Sequence, residues 1–366
     1  MPPTRILTKR DLNRALLERQ VLLRRERTPV LEVIQRLIAM QAQQPRPPFI
    51  GLWTRIDGFT APDLATLLRD RQVVRVTHLR GTLHLLTAAD YLALRGAMQP
   101  VLTGGMHAIL KQRGAVLDIE AVVKAAEGHF GKRPRTFEDL RTTLMEEFPG
   151  VDERAMGYAA RMQLPLCMVP DDTQFAYGAD TNFALASQWL GRPVPDAGGV
   201  EDLLLRYLAA FGPASVNDAQ CWSGLPKLKP AFEALRPKLT VYKDENGKEL
   251  FDVPGAPLPA ADAPAPVRFL PGFDNAILGH QDRSRIIADE HRSLVTTKNL
   301  QVQPTILIDG FVAATWDVTL RKSAVTIAVK AFGSVPAKTK KLIEAEAASL
   351  VKFLAGAGPR CDVTYA

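Results

Sequence analysis

The feature that most constrains this fold is a change in hydrophobic period at Val74. Before it, the signals are helical. Thr8-Lys9-Arg10-Asp11 resembles a capping box, with Asp in place of the usual Glu or Gln, and opens a helix carrying Leu12, Ala15, Leu16 and Leu22. Thr28-Pro29, an N-cap followed by Pro at the first helical position, starts a second helix with an apolar stripe of Val30, Ile34, Leu37 and Ile38. A short helix around Phe49–Trp53 and another opened by Pro62-Asp63 through Leu64–Leu68 follow. Then Val74, Val76 and His78, and after them Thr82, His84 and Leu86, alternate across a hairpin turning at Arg80-Gly81. Helices followed by a two-stranded ribbon form the winged helix-turn-helix pattern.

The pattern comes back twice. In the second copy, Asp118 starts a helix through Val122 to Phe130, Thr136-x-x-Asp139 caps one through Leu140, Leu144 and Phe148, and Val151-Asp152 starts a third through Met162. Its ribbon is Leu166–Val169 and Gln174–Tyr177 around a Pro170-Asp171-Asp172 turn. In the third copy, Glu201–Phe211 is helical, Ser215-x-x-Asp218 caps the next helix, and Leu225–Leu235 is the last. The strands Leu239–Tyr242 and Leu250–Val253 flank Asn246-Gly247, the strongest local hairpin signal in the chain. Pro254–Pro266 reads as a linker or surface excursion. Beyond it the chain is β-rich over Val267–Leu270, Thr305–Ile308, Val312–Trp316 and Ser323–Val329, with a closing helix from Pro336 to about Leu354. The expected fold class is α+β: three tandem winged helix-turn-helix repeats with a C-terminal mixed α/β cap. The expected units are 1–105, 106–195 and 196–366, the last including the β-rich cap.

With 366 residues, two or three compact units with real cores fit. The net charge of +7 leans basic, which suits a polyanionic partner without establishing one. Basic residues cluster at Arg5, Lys9, Arg10 and Arg14; at Arg24, Arg25 and Arg27; at Lys132, Arg133 and Arg135; and at Lys338, Lys340 and Lys341. Cys167, Cys221 and Cys361 are widely spaced, which argues against a disulfide framework or zinc site and for a reducing cytoplasm. No apolar run of signal-peptide or membrane-spanning type is present, so no membrane partner is expected.

The stretch richest in chemistry is Leu37-Ile38-Ala39-Met40-Gln41-Ala42-Gln43-Gln44-Pro45, where an apolar helix runs into three glutamines and a proline-rich stop. Pro45 disfavours the α conformation at Gln44, so the helix is expected to end near Gln41. On a helix, side chains at i and i+2 diverge; in extended chain they point the same way. Two roles are open to Gln41 and Gln43: capping the free carbonyls of the helix end, or converging on one spot beyond it.

Four segments in order give the chain a family resemblance: Gln41-Ala42-Gln43 with its following Pro45 and Leu52-Trp53-Thr54-Arg55, then Arg80-Gly81-Thr82-Leu83-His84-Leu85, Phe269-Leu270-Pro271-Gly272-Phe273-Asp274-Asn275, and Gly279-His280-Gln281-Asp282-Arg283-Ser284-Arg285. Over essentially its whole length the chain resembles the AlkZ-like winged-helix DNA glycosylases, which remove bulky alkylated purines and unhook interstrand crosslinks. The resemblance implies that Gln41 and Gln43 are catalytic and hold a water near C1′. A purine alkylated at N3 or N7 already carries positive charge, so its departure needs no general acid. Where relatives have a carboxylate in the second position, this chain has Gln43, which points to cationic lesions. Gln44 is expected to be turned away by Pro45.

The remaining site expectations are contacts with DNA or the lesion. His78, Arg80 and His84 lie on the first ribbon, where an interstrand role for the histidines is the alternative; His280, Arg283 and Arg285 form a candidate phosphate clamp. Asp274 is expected to cap a turn rather than act as a nucleophile. No lysine accompanies the glutamines, so no Schiff-base lyase step is expected. His-x-Glu with Pro-Cys-x-x-Cys, the phosphate loop and the dinucleotide fingerprint are all missing, so the expectation is no metal, no nucleotide cofactor and no cofactor of any kind. The expected protein is a monomer, cytoplasmic and on the nucleoid when bound, acting on double-stranded DNA that contains alkylated purines. The rival is a non-catalytic winged-helix transcriptional regulator, which predicts dimerisation and a preferred operator.

Overall fold

The structure, a computed structural model, describes residues 5–366 apart from 298, 300, 322 and 357. Its first part runs β1 (Ile6–Leu7), α1 (Lys9–Arg19), α2 (Val30–Leu37), β2 (Met40–Gln41), α3 (Arg46–Trp53), α4 (Ala61–Arg69), β3 (Val73–Thr77) and β4 (Leu83–Thr87). Local chemistry sets most of these boundaries. Thr8 with Asp11 and Thr60 with Asp63 form complete capping boxes at α1 and α4. Thr28 does not cap α2: Pro29 occupies the N-cap, the helix begins at Val30, and the Thr28 hydroxyl turns to Glu26.

A 26-residue helix, α5 (Ala88–Arg113), follows directly, its start capped by Thr87 through the amide of Asp90. Sequence reasoning does not find it, because Pro100 and the pair Gly104-Gly105 read as breakers; its long packing surface against α8 and the first ribbon overrides them. Next come α6 (Ile119–Lys132), α7 (Phe137–Glu147) and α8 (Glu153–Gln163), capped by Asp118, Thr136 and Asp152. The second ribbon pairs β5 (Leu166–Met168) with β6 (Phe183–Leu185), not with Gln174–Tyr177. The Asp171 carboxylate explains the difference: it accepts from the amides of Thr173 and Gly178 and folds 171–178 into a compact loop, with Ala176 at φ 61°.

After α9 (Ala186–Leu190) the third helical set is α10 (Val200–Phe211), α11 (Val216–Ser223) and α12 (Lys229–Leu235), with a full Ser215–Asp218 capping box. The hairpin β7 (Thr240–Asp244) and β8 (Glu249–Asp252) follows, and β1 adds to β7 in parallel. Residues 254–266 strap across α1, the carbonyls of Pro257, Ala261 and Ala263 accepting from Arg19, Arg10 and Arg14. The C-terminal part contains β9 (Arg268–Leu270), α13 (Asn275–Leu278), α14 (Arg292–Val295), β10 (Thr305–Ile308), β11 (Phe311–Leu320), β12 (Ala324–Ala331), α15 (Ala337–Ala355) and β13 (Arg360–Tyr365). Its sheet has the order β13-β12-β11-β10-β9.

The sheet that positions the glutamines has the order β2-β4-β3-β5-β6 and joins the first and second ribbons through Val76 and Cys167. It is a wall between two cores. Met40, Val73 and Leu85 face one, whereas Val74, Val76, Leu86 and Cys167 face the other. A one-residue slip would turn Met40 and Ala42 out of the core and the glutamines into it, so burial of that one face fixes the register of β2. The molecule is a mixed α+β fold, as expected.

Candidate active site

The glutamine motif is an edge strand. α2 stops at Leu37, four residues before the expected end, and Ile38 adopts φ 66°, a conformation that a β-branched residue visits rarely. Asn275 secures this abrupt stop: its side-chain amide donates to the carbonyls of Leu37 (3.2 Å) and Ala39 (2.8 Å). Helix-end capping therefore falls to Asn275, and the glutamines are free of it. Met40 and Gln41 pair with Leu85 and His84, and the Ala42 amide donates to Leu83 at 2.7 Å. From the other side Arg75 donates to the carbonyls of Ala42 (2.9 Å) and Gln43 (3.2 Å) while lying over the Tyr177 ring.

In this extended chain Ala42 is fully buried, and Gln41 and Gln43 share the opposite side. Gln41 is half-buried and Gln43 exposed. Both side-chain carbonyls are held by donors: Gln41 Oε1 by Arg80 Nη2 at 2.9 Å, Gln43 Oε1 by the Leu83 amide at 2.7 Å. Because each partner can only donate, the orientation of both amides is fixed. Each oxygen keeps one further lone pair, and each NH₂ has no protein acceptor among the described residues.

His84 stands directly opposite Gln41 across the strand pair, on the same face. Its Nδ1 lies 3.0 Å from the Thr82 carbonyl, so Nδ1 carries the proton and Nε2 the lone pair. Burial, helped by the positive charge of Arg80, holds its pKa well below the usual value, and the ring is neutral at pH 7. Arg80 adopts φ 54° in the turn of the ribbon and bridges Gln41 to the Trp222 carbonyl at the end of α11. Burial brings its pKa down to about 10. Gly224 permits this approach: a Cβ there would meet the Arg80 Cα at 3.3 Å.

Arg283 is half-buried, donates to Thr296 and lies close enough to Arg80 to repel it electrostatically. Gln41, Gln43, Arg80, His84 and Arg283 thus gather where the first ribbon meets the third helical set. The other site expectations are not met by this arrangement. His78 is fully buried, packs against Tyr91, and has neither ring nitrogen hydrogen-bonded; burial and Arg95 drive its pKa to about 3. His280 is buried, donates from Nε2 to the Phe211 carbonyl at 2.9 Å, and is likewise brought to about 3 by burial and by Arg285. Arg285 is buried and donates to the Pro213 carbonyl. Instead of joining Arg283 in a phosphate clamp, His280 and Arg285 help lock the third helical set, where Asp218 also accepts from the amides of Gln281 and Asp282.

Asp274 does cap a turn, accepting from the Ala276 amide, and it also forms a buried ion pair with Arg55 at 2.8 Å. Sequence reasoning missed Arg75 and Asn275, which hold the backbone of the motif. Asn275 could have been found, since it ends a segment already singled out; Arg75 stands in an apolar alternation that gives no such signal.

The model of one protein family, described as "DNA glycosylase AlkZ-like", matches residues 34–353. A protein of Streptomyces sahachiroi named "Interstrand DNA cross-link repair glycosylase" is 27% identical, over 92% of this chain and 94% of that protein. The solved structure of Streptomyces sahachiroi DNA glycosylase AlkZ superposes with a TM-score of 0.79 at 22% identity, covering 99% of this chain and all of that one. The family match spans most of the chain, including all four segments around the site, and it displaces the non-catalytic regulator: the chain belongs to the AlkZ-like DNA glycosylases.

Proposed function

We propose that this protein is a monofunctional glycosylase that hydrolyses the N-glycosidic bond of purines alkylated at N7 or N3, bulky adducts and interstrand crosslinks included. The carrying observation is the pair of glutamines on one side of an edge strand, their carbonyls clamped by Arg80 and the Leu83 amide. A water between them can donate to a free carbonyl lone pair and accept from an amide NH₂, which aims its own lone pair at C1′. The C1′–N bond breaks with its electron pair going to the cationic purine, which leaves neutral. Water then adds to C1′ and gives its proton to solvent. Neutral His84 supplies an acceptor beside Gln41, while two amides offer neither a strong base nor an acid. Such a site suffices for an activated leaving group and not for an ordinary one.

The three helical sets with their ribbons act as winged helices over 1–105, 106–195 and 196–366, the last with its β-rich cap. The edge-strand position supports tolerance of bulk, because it is not enclosed like a flipped-base pocket. The enzyme works as a monomer in the cytoplasm on nucleoid DNA, in repair or in self-resistance to genotoxins. The test is incubation with duplexes bearing one N7-alkylguanine, N3-alkyladenine, uracil, 8-oxoguanine or ethenoadenine. Free base and an alkali-labile site are expected from the first two alone. Efficient release of the uncharged bases would contradict the cationic-leaving-group mechanism.

A further inference from the structure

Many arginines of this chain have acidic partners. Arg19 pairs with Asp252, Arg55 with Asp274, Arg14 with Asp309, Arg25 with Glu346 and Arg206 with Asp90. Three that do not are gathered in one place. Arg141 on α7 and Arg154 and Arg161 on α8 surround one cavity of about 270 Å³ with Phe137, Gly157 and Tyr158, and none has a carboxylate within 4.0 Å among the described residues. Arg141 Nε is buried and without a hydrogen-bond partner. Arg161 stacks on Phe137 (4.3 Å) and Phe183 (5.3 Å), and its pKa is lowered by burial and by the charge of Arg141. Gathering three guanidinium groups without a counter-charge is unfavourable unless an anion joins them.

The place of the cavity identifies that anion. Phe137 and Arg161 also line a second cavity, about 370 Å³, that reaches Arg75, Leu83 and Gln43. Glu138 and Asp180 border this connecting cleft without pairing to Arg161. Two cavities that share Phe137 and Arg161 thus set the three arginines beside the backbone of the catalytic edge strand, on its Arg75 side. The arginine forks suit phosphate oxygens, and Phe137 and Tyr158 suit the apolar faces of a sugar or base. The first cavity far exceeds the share of one water, about 30 Å³. We propose that the α7–α8 cavity is a backbone-phosphate subsite for the DNA strand flanking the lesion. It rests on the glycosylase assignment and adds a binding determinant outside the glutamine site.

The test uses the full chain and undamaged duplex, so it needs no base excision and stands even if the glutamine mechanism fails. Affinity is measured against salt for wild type, Arg154→Gln, Arg141→Gln/Arg154→Gln, and Arg27→Gln, whose guanidinium is held by exposed Asp57. Arg154 is exposed, so its variant preserves packing. Removing the charge that neutralises one phosphate should make the log–log salt slope shallower by about 0.9, with about tenfold weaker binding at low salt for the double variant. Arg27→Gln should change neither. Scanning neutral methylphosphonates along the duplex should find one position that weakens wild type and has no further effect on the double variant. Unchanged slope and affinity in both cavity variants would overturn the proposal, and so would calorimetric binding of inorganic phosphate at the cavity without any change in duplex binding.

Discussion

Arg80–Leu85 and Gly279–Arg285 both set histidine beside arginine, and the fold uses them in opposite ways. In the first, the ribbon turn leaves Arg80 reaching sideways to Gln41, and His84 holds its lone pair beside an edge strand. In the second, the histidine and the last arginine face inward: His280 meets Phe211, Arg285 meets Pro213, and Asp218 collects two backbone amides. The difference lies in what covers each segment. The first, although His84 itself is buried, borders half-buried Gln41 and exposed Gln43, whereas α10 and α11 close over the second, with His280 against the Tyr207 and Phe211 rings. One arrangement keeps hydrogen-bonding capacity for a substrate; the other uses it to join helices.

The largest effect that separates the two belongs to Asp218. Asp218→Ala removes a buried acceptor from four donors and should cost about 3–5 kcal/mol of stability, measured as a urea midpoint. Exposed Gln43→Ala should stay within about 0.5 kcal/mol on the same measurement. Equal losses would erase the distinction. Asn275→Ala should fall between them, about 1–3 kcal/mol, because two carbonyls at the α2 end lose their donor. Its excision rate should drop as well, since the turn that delivers the glutamines loosens.

Acid gives a smaller contrast. His78 and His280 are neutral when folded, with pKa values near 3, and take up protons only on unfolding. Their stabilisation is therefore complete above about pH 6.5 and declines as pH falls toward 3, by about 1.4 kcal/mol per pH unit for each histidine at most. Chemical denaturation at pH 7.5, 6.5 and 5.5 checks this; rising stability on acidification would contradict the burial of both rings. Single-turnover excision should vary least of all, staying flat from about pH 6 to 9. Neither glutamine titrates, and His84 remains neutral throughout.

Much of this was legible in the residues, in proportion to how local each cause was. Thr8, Asp118, Thr136, Asp152 and Ser215 cap helices where their spacing said they would, and Asn246-Gly247 turns β7 into β8. Features that depend on distant partners were hidden. α5 survives Pro100 through packing, β1 and β13 acquire strand character only by pairing with distant strands, and the 171–178 loop follows one carboxylate that competes with the ladder. In the site, the glutamine pair was legible by resemblance, while the proline stop put the end of α2 four residues too late, because Ile38 and Asn275 set it. The burial of His78 was not legible, because a histidine in an alternating run reads alike whether its face meets water or a second core, and that of His280 was not, because its cover, Tyr207 and Phe211, lies far away in the chain. Arg154, Tyr158 and Arg161 left a usable trace, the i, i+4, i+7 spacing of one helix face, which an inventory of adjacent basic residues passes over.

The central claim is that Gln41 and Gln43 orient the attacking water and do little else. The direct measurement is the single-turnover rate of base release from an N7-alkylguanine duplex, at saturating protein, for wild type, Gln41→Ala and Gln43→Ala, with melting temperatures taken alongside. The account predicts a loss of about 10²–10³-fold in each variant with melting nearly unchanged, the scale expected when one preorganised polar group is removed from a transition state. Wild-type rates in both stable variants would contradict it.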